Sequence, residues 1–195
     1  ALPISPFKPF ITSTLQQEAS TKLGFSAKRT MTIAQGLYEG VDVGNGQEGL
    51  ITYMRTDSTR LSDVYVKAAQ NKIVSEYGKD YLGFYHVKND ANAQDAHEAI
   101  RPTNLAYTPE SIQSHLTSEQ YKLYKLIYCR ALASLMSNAK YNSVSVTLSR
   151  NGHDFTASGS RLTFDGWLKV YGDYDSSKDV LLPELKINDS LSPVE

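Results

Sequence analysis

Tyr53 and Arg55 stand two residues apart inside residues 49–62, GLITYMRTDSTRLS. A tyrosine hydroxyl is a poor nucleophile at neutral pH: its ordinary pKa is about 10, so ionising it at pH 7 costs roughly 4 kcal/mol. A guanidinium beside it can lower that cost and grip a phosphate oxygen with its planar fork. On an ideal strand, positions i and i+2 share a face, so Tyr53 and Arg55 can meet one phosphodiester together. A second pair, His97 and Arg101, stands four apart in AHEAIRPT, residues 96–103. One helical turn would put both on one face, again suited to a phosphate, with Pro102 ending the turn. The string is not a zinc helix, because the second histidine of H-E-x-x-H is missing. Taken singly, each pair is more simply read as structure: a tyrosine half in a core, and a surface or capping pair.

The whole strings say more. Residues 49–62, residues 9–25 (PFITSTLQQEASTKLGF) and residues 96–103 occur together in this chain. They closely resemble the type IA DNA topoisomerases, in that family's order, and the likeness covers essentially all 195 residues. The resemblance implies that Tyr53 attacks a DNA backbone phosphate to form a 5′-phosphotyrosyl link, that Arg55 stabilises phosphate charge, and that His97 lies close to the tyrosine and the DNA phosphate, acting by proton transfer or phosphate contact. It further implies DNA contacts at Arg101, Asp57 and Ser58. The substrates would be single-stranded and negatively supercoiled DNA, relaxed without ATP. Magnesium would belong to the full-length parent, bound by a domain absent from this chain, with no metal ligand here. That missing magnesium-binding domain is an expected partner, and the chain alone is expected not to relax DNA.

Two other classes remain to be weighed. Tyrosine recombinases and type IB topoisomerases place their arginines and a His-x-x-Arg ahead of a tyrosine near the end of the chain. Here Tyr53 comes first and the spacing is His-x-x-x-Arg. The other alternative is a non-catalytic single-strand-binding or scaffold module, which trapping of a covalent DNA adduct would separate from the enzyme.

The patterning predicts the elements that position these residues. Leu50, Ile51, Thr52 and Met54 read as a short buried strand, stopped by turn chemistry at Thr56, Asp57, Ser58 and Thr59. Ser62 then caps a helix over about 63–77, closed by Gly78. Prolines 3, 6 and 9 make residues 1–12 an extended lead-in. Ser13 or Thr14 caps a helix ending at Gly24, and Ser26 opens another, with Ala27, Met31, Ala34, Leu37 and Tyr38 on one face, ending at Gly40. Residues 41–49 are a Gly-rich loop without the Gly-Lys-Ser/Thr ending of a phosphate loop. Residues 79–95 read as irregular. Thr117 and Gln120 form a capping box for the longest helix, about 118–137. Val144, Val146 and Leu148 alternate with polar residues as a half-buried strand, and Asn151–Gly152 signals a hairpin. Residues 162–171 and 180–194 supply more strand-like pieces.

The expected fold class is α+β. A helical domain over 13–139 carries the tyrosine, and the ring-shaped architecture of the resembled family implies that it is inserted into a mostly antiparallel β domain built from 1–12 and 140–195. Phe10–Ile11 and Lys140–Tyr141 would then lie side by side as paired strands.

Composition bounds the rest. Hydrophobic residues at 41% and charged residues at 21% suit a globular chain with a sizeable core. The formal net charge of −1 argues against wrapping duplex DNA, but leaves room for a narrow groove holding a few nucleotides of single strand. The single cysteine, Cys129, lies in an apolar helical stretch and reads as a buried structural thiol in a reducing compartment. No apolar run is long enough to cross a bilayer and no signal peptide opens the chain, so a cytoplasmic protein without a membrane partner is expected. The start at Ala1 suggests a fragment. Lys22, Lys28 and Arg29 read as a solvated face, and Asp173-Tyr174-Asp175, despite its Asp-x-Asp spacing, as a solvated turn.

Overall fold

Helical propensity and capping place most elements where the pattern puts them. The computed structural model describes residues 2–44, 46–85, 97–175, 179–183, 185–187 and 189. In chain order the elements are β1 (Leu2–Ile4), α1 (Thr12–Leu23), α2 (Ala27–Glu39), β2 (Val41–Asp42), β3 (Gln47–Glu48), α3 (Asp63–Tyr77), α4 (Ser118–Ala133), β4 (Ala139–Arg150), β5 (His153–Phe164) and α5 (Leu168–Tyr171). Ser26, Ser62 and Thr117 cap α2, α3 and α4 by accepting from the backbone N–H three residues on. Gln120 completes the capping box on Thr117. Gly24 closes α1 in the left-handed conformation that a side chain would resist.

Helix α4 is the axis of the core. All its residues from Leu126 to Ala133 are buried, as are Leu123 and Tyr124, and it packs against α1, α2 and α5. Burial of each such Leu or Ile contributes about 1.5–3 kcal/mol. Its one buried cation, Arg130, ties four segments together. Nε donates to the Lys8 carbonyl at 2.7 Å, Nη1 donates to the Tyr171 hydroxyl at 3.1 Å, and Glu18 lies 3.9 Å away. The guanidinium also stacks on Phe7 and Phe10, 4.5 and 4.6 Å from their ring centroids. Nothing in the helical periodicity distinguishes this arginine from a surface one.

The sheet is antiparallel in the order β1-β4-β5. Leu2, Pro3 and Ile4 pair with Tyr141, Lys140 and Ala139. The lead-in therefore does reach Lys140 and Tyr141, but through residues 2–4. Phe10 instead forms a single β-bridge with Ile100. Trp167, 1% exposed, donates its indole N–H to the Ile4 carbonyl at 3.0 Å and fixes the strap from behind. Asn151 (φ 53°) and Gly152 (φ 79°) make the predicted two-residue turn between β4 and β5.

Several expectations are corrected. The longest helix stops at Ala133, not 137. Leu135 and Met136 stay buried, so they continue the apolar pattern, but they do so through tight turns onto Leu132 and Ala133. Residues 162–171 are not one strand. β5 ends at Phe164, and Trp167 leads into the single turn of α5. Among the described residues of 180–194, only Val180 pairs, in one bridge to Ser160. The alternating face of β4 is not half-buried along its length, because Val144 is 56% exposed, and Leu148 and its partner on β5, Phe155, are exposed as well. Helix α1 starts at Thr12. Thr14 serves as the reciprocal partner of its first turn, accepting from the Ile11 N–H. Ala27 and Tyr38 lie outside the buried face of α2, which is Thr30, Ile33, Ala34 and Leu37. Residues 41–49 hold a small β2–β3 hairpin. The irregular stretch expected at 79–95 opens with a short 3-10 turn over Lys79–Tyr81, and its residues 86–95 lie outside the described ones.

Candidate active site

The segment carrying Tyr53 is held on three sides. From α2, the Leu37 carbonyl accepts the Leu50 N–H at 2.8 Å. The approach is so close that a Cβ on Gly49 would sit 2.8 Å from the Tyr38 carbonyl oxygen, which only glycine avoids. From the 97–103 segment, Ile51 bridges Pro102, the Thr52 N–H donates to the Arg101 carbonyl at 2.9 Å, and the Thr103 N–H donates to the Leu50 carbonyl at 3.0 Å. From α1, the Thr12 hydroxyl lies 2.8 Å from the Met54 carbonyl and accepts the Thr56 N–H at 2.9 Å. Leu50, Ile51 and Met54 are buried anchors, whereas Tyr53 between them is 41% exposed.

This segment is not the strand that its apolar run suggests. Among the described residues its only sheet-like pairing is the bridge at Ile51, and the chain bends at Thr52 and again at Met54–Arg55. The capture of Met54 and Thr56 by Thr12 takes the backbone groups a ladder would need. Strand alternation therefore does not govern Tyr53 and Arg55. The Tyr53 ring packs edge-on against Tyr38, 5.3 Å between centroids, and lies 6.4 Å from the His97 ring. Arg55 instead lines an open cleft of about 490 Å³ together with Ile11, Thr12, Ser13, Gln16, Thr56, Asp57 and His97. His97 joins the two parts, since it belongs to the cleft and neighbours Tyr53.

The cleft has the chemistry of an anion site. Arg55 supplies a charged fork, and the first turn of α1, which holds no acidic residue, presents the positive end of the helix. Ser13 and Gln16 add polar side chains. Asp57 is the one carboxylate among the lining residues, and it also lines a second, larger groove with Ser58, Thr59 and Arg60. Ser58 itself is 7% exposed, its hydroxyl accepting the Arg60 N–H at 3.2 Å.

Arg101 is placed elsewhere. The 97–101 stretch forms no helix, with Ile100 bridged to Phe10, so His97 and Arg101 do not share a helical face. The Arg101 side chain is 13% exposed and donates to Glu98 (2.7 Å), to Ser62 (3.2 Å) and to the Pro102 carbonyl (2.9 Å). It lies over the Tyr65 ring at 4.8 Å. Burial pushes the Tyr65 hydroxyl well above the ordinary tyrosine range, against the pull of Arg101, so Tyr65 is no rival nucleophile. Burial likewise pushes the Cys129 thiol up to about 12, which keeps it an unreactive thiol at neutral pH. Among the described residues no group of three or more His, Cys, Asp or Glu side chains could hold a metal ion. No described helix is long and apolar enough to cross a membrane.

Thr12, Thr52 and Tyr38 are the functional neighbours that spacing arguments do not single out. Thr12 could have been suspected from its place in the 9–25 string. The same holds for Thr52 in the 49–62 string, whereas Tyr38 lies outside all three strings.

Comparisons with known proteins agree on one family. A family model described as DNA topoisomerase matches residues 3–195. The chain is similar to DNA topoisomerase 1 of Helicobacter pylori, 51% identical over 187 residues, which is 94% of this chain and 25% of the relative. It is also similar to DNA topoisomerase 1 of Campylobacter jejuni, 50% identical over 192 residues, 96% of this chain and 27% of the relative. The solved full-length topoisomerase I from Thermotoga maritima superposes with a TM-score of 0.82 at 42% identity, over 95% of this chain and 30% of that one. The chain thus spans about a quarter of the length of the curated relatives it matches.

Proposed function

The chain belongs to the DNA topoisomerase family, and we propose that it is the part of a type IA enzyme that supplies the nucleophilic tyrosine. The observation that carries this reading is the placement of Tyr53. It is a tyrosine 41% exposed, with His97 at 6.4 Å, and His97 shares a cleft with Arg55. In the proposed reaction the Tyr53 oxygen attacks a phosphorus of one DNA strand. A new phosphotyrosyl P–O bond forms, the bond to the 3′ oxygen breaks, and the freed 3′ oxygen takes up a proton while the tyrosine gives one up. One phosphate diester replaces another, so the bond energy is kept and resealing needs no ATP. Between the two steps the intact strand passes through the gap, relaxing negatively supercoiled DNA.

Arg55, with the N-terminal end of α1 beside it, would stabilise charge on the phosphate. His97 would move a proton or contact a phosphate oxygen. Asp57 would meet the nucleotides leaving the cleft, as an acceptor for base N–H groups, and the buried Ser58 would act from behind it by holding the Arg60 N–H. These groups answer only part of the charge that develops at both in-line oxygens. In this proposal the remainder, magnesium included, is held by another domain of the parent, and the chain alone does not relax DNA. Positioning of that kind is worth many orders of magnitude in rate.

The test is covalent trapping. The parent polypeptide, quenched with denaturant on a labelled single-stranded oligonucleotide, should yield a protein–DNA adduct whose tryptic label maps to Tyr53. Tyr53→Phe should abolish it while leaving oligonucleotide binding intact. An adduct of undiminished yield in Tyr53→Phe would refute the assignment.

A further inference from the structure

Arg101 stands in the 97–103 segment, yet its side chain is turned into the protein. Its guanidinium ties its own segment together and joins it to the start of α3. Nε donates to Glu98 at 2.7 Å, Nη2 to the Ser62 hydroxyl at 3.2 Å, and Nη1 to the carbonyl of Pro102 at 2.9 Å. Ser62 is the cap of α3, at the exit of the loop that begins with Arg55, and its N–H also reaches Glu98 at 3.4 Å. Glu98 is the residue after His97. On the backbone side the same segment is sewn to the residue before the tyrosine. The Thr52 hydroxyl donates to the Ala99 carbonyl at 2.7 Å and accepts the Arg101 N–H at 3.0 Å. The Ala99 N–H donates to the Arg60 carbonyl at 2.8 Å.

We infer that Arg101 is a positioning residue, which through Glu98 and Ser62 holds the segment bearing His97 at a set distance from Tyr53. This rests on the proposed nucleophilic role of Tyr53. The chemistry favours it over direct phosphate contact. A guanidinium with only 13% of its side chain exposed has one N–H on each of its three nitrogens engaged inside the protein, on a carboxylate and two neutral oxygens. The pairing also explains why both charges are tolerated there, since each neutralises the other and both are hydrogen-bonded. Lysine cannot replace it, because one ammonium cannot span Glu98, Ser62 and the Pro102 carbonyl in the plane that arginine fills.

Three variants test the inference: Arg101→Lys, Glu98→Gln and the double substitution. On this chain, a nuclear Overhauser contact between the Tyr53 and His97 rings should be seen in the unmodified protein and lost in each variant, at unchanged amide dispersion. In the parent polypeptide, single-turnover adduct formation on saturating oligonucleotide should fall at least tenfold in each single variant, and no more than twofold further in the double. The dissociation constant for the same oligonucleotide should stay within twofold. Should Arg101→Lys fail to fold, Glu98→Gln carries the same readings. A fivefold loss of oligonucleotide affinity in Arg101→Lys that Glu98→Gln does not share would make Arg101 a phosphate ligand and overturn the inference. So would retention of the ring contact in both single variants. If instead no adduct maps to Tyr53 even in the unmodified parent, the functional reading fails, and the ring contact alone decides whether Arg101 positions His97.

Discussion

Thr12→Val should loosen the grip of α1 on the Tyr53 segment while nearly preserving the shape of the side chain. The Thr12 hydroxyl donates to the Met54 carbonyl at 2.8 Å and accepts from the Thr56 N–H at 2.9 Å. The Thr56 carbonyl is served independently by the Thr12 N–H at 2.9 Å, and that bond survives the substitution. Two hydrogen bonds are lost, each worth about 0.5–1.5 kcal/mol net, and two backbone groups on buried residues lose their partners. The expected destabilisation is about 2–3 kcal/mol, against roughly 5–15 kcal/mol for a folded domain, so the fold should survive. In urea, with a slope of about 2 kcal/mol per molar, the midpoint should fall by about 1 M at unchanged slope. Thr12→Ser retains the hydroxyl and should restore most of the loss. The local reading is hydrogen exchange at the Thr56 amide, protected in the unmodified chain and in Thr12→Ser, and unprotected in Thr12→Val. A Thr12→Val midpoint within 0.2 M of the unmodified chain, or undiminished protection at Thr56, would show that the clamp does not hold the segment.

Two further outcomes concern the core. Arg130→Ala should cost about 3–5 kcal/mol in the same urea titration, because it leaves the Lys8 carbonyl and Glu18, whose Oε2 has no hydrogen-bond partner among the described residues, uncompensated; Arg130→Met, which still covers Phe7 and Phe10, should regain only the packing share of that loss, and a Met variant as stable as the unmodified chain would place the whole cost in packing. Burial raises the hydroxyls of Tyr65, Tyr124, Tyr128, Tyr171 and Tyr174 above the ordinary value of 10.0, so the unfolded chain releases these protons first. Their contribution to stability is complete below about pH 10 and lost as pH rises beyond it, so helical circular dichroism and tyrosinate absorbance should change together in one steep step; smooth tyrosine titration with the helices intact would contradict this.

The caps and turns were legible from sequence because each is a local bargain between a side chain and its own backbone. Ser26, Ser62, Thr117 and Asn151–Gly152 act where their neighbours say they should. The three strings that carry the family resemblance also converge in space, with α1, the Tyr53 segment and the 97–103 segment hydrogen-bonded to one another. What stayed hidden depends on partners remote in the chain. Periodicity cannot tell that Arg101 turns inward onto Ser62, 39 residues away, or that Arg130 reaches Lys8, 122 residues away. The apolar run at 50–54 suggested a strand because burial and β-pairing leave the same mark on a short sequence. Here burial alone is responsible.

The β4–β5 hairpin has the proportions of a lever. Twelve residues from Ala139 to Arg150 span about 37 Å at roughly 3.4 Å per step. Among the described residues, β1 braces only its first three positions, with Trp167 acting as the stop behind them. A rotation of about 10° at that fulcrum would swing the Asn151–Gly152 tip by about 6 Å over this length. The strand that forms the fulcrum ends at Ile4, and eight residues on the same chain arrives at Thr12, whose hydroxyl grips Met54 and Thr56. A load on the far end of the hairpin therefore pulls, through a proline-stiffened tether, on the backbone to either side of Arg55.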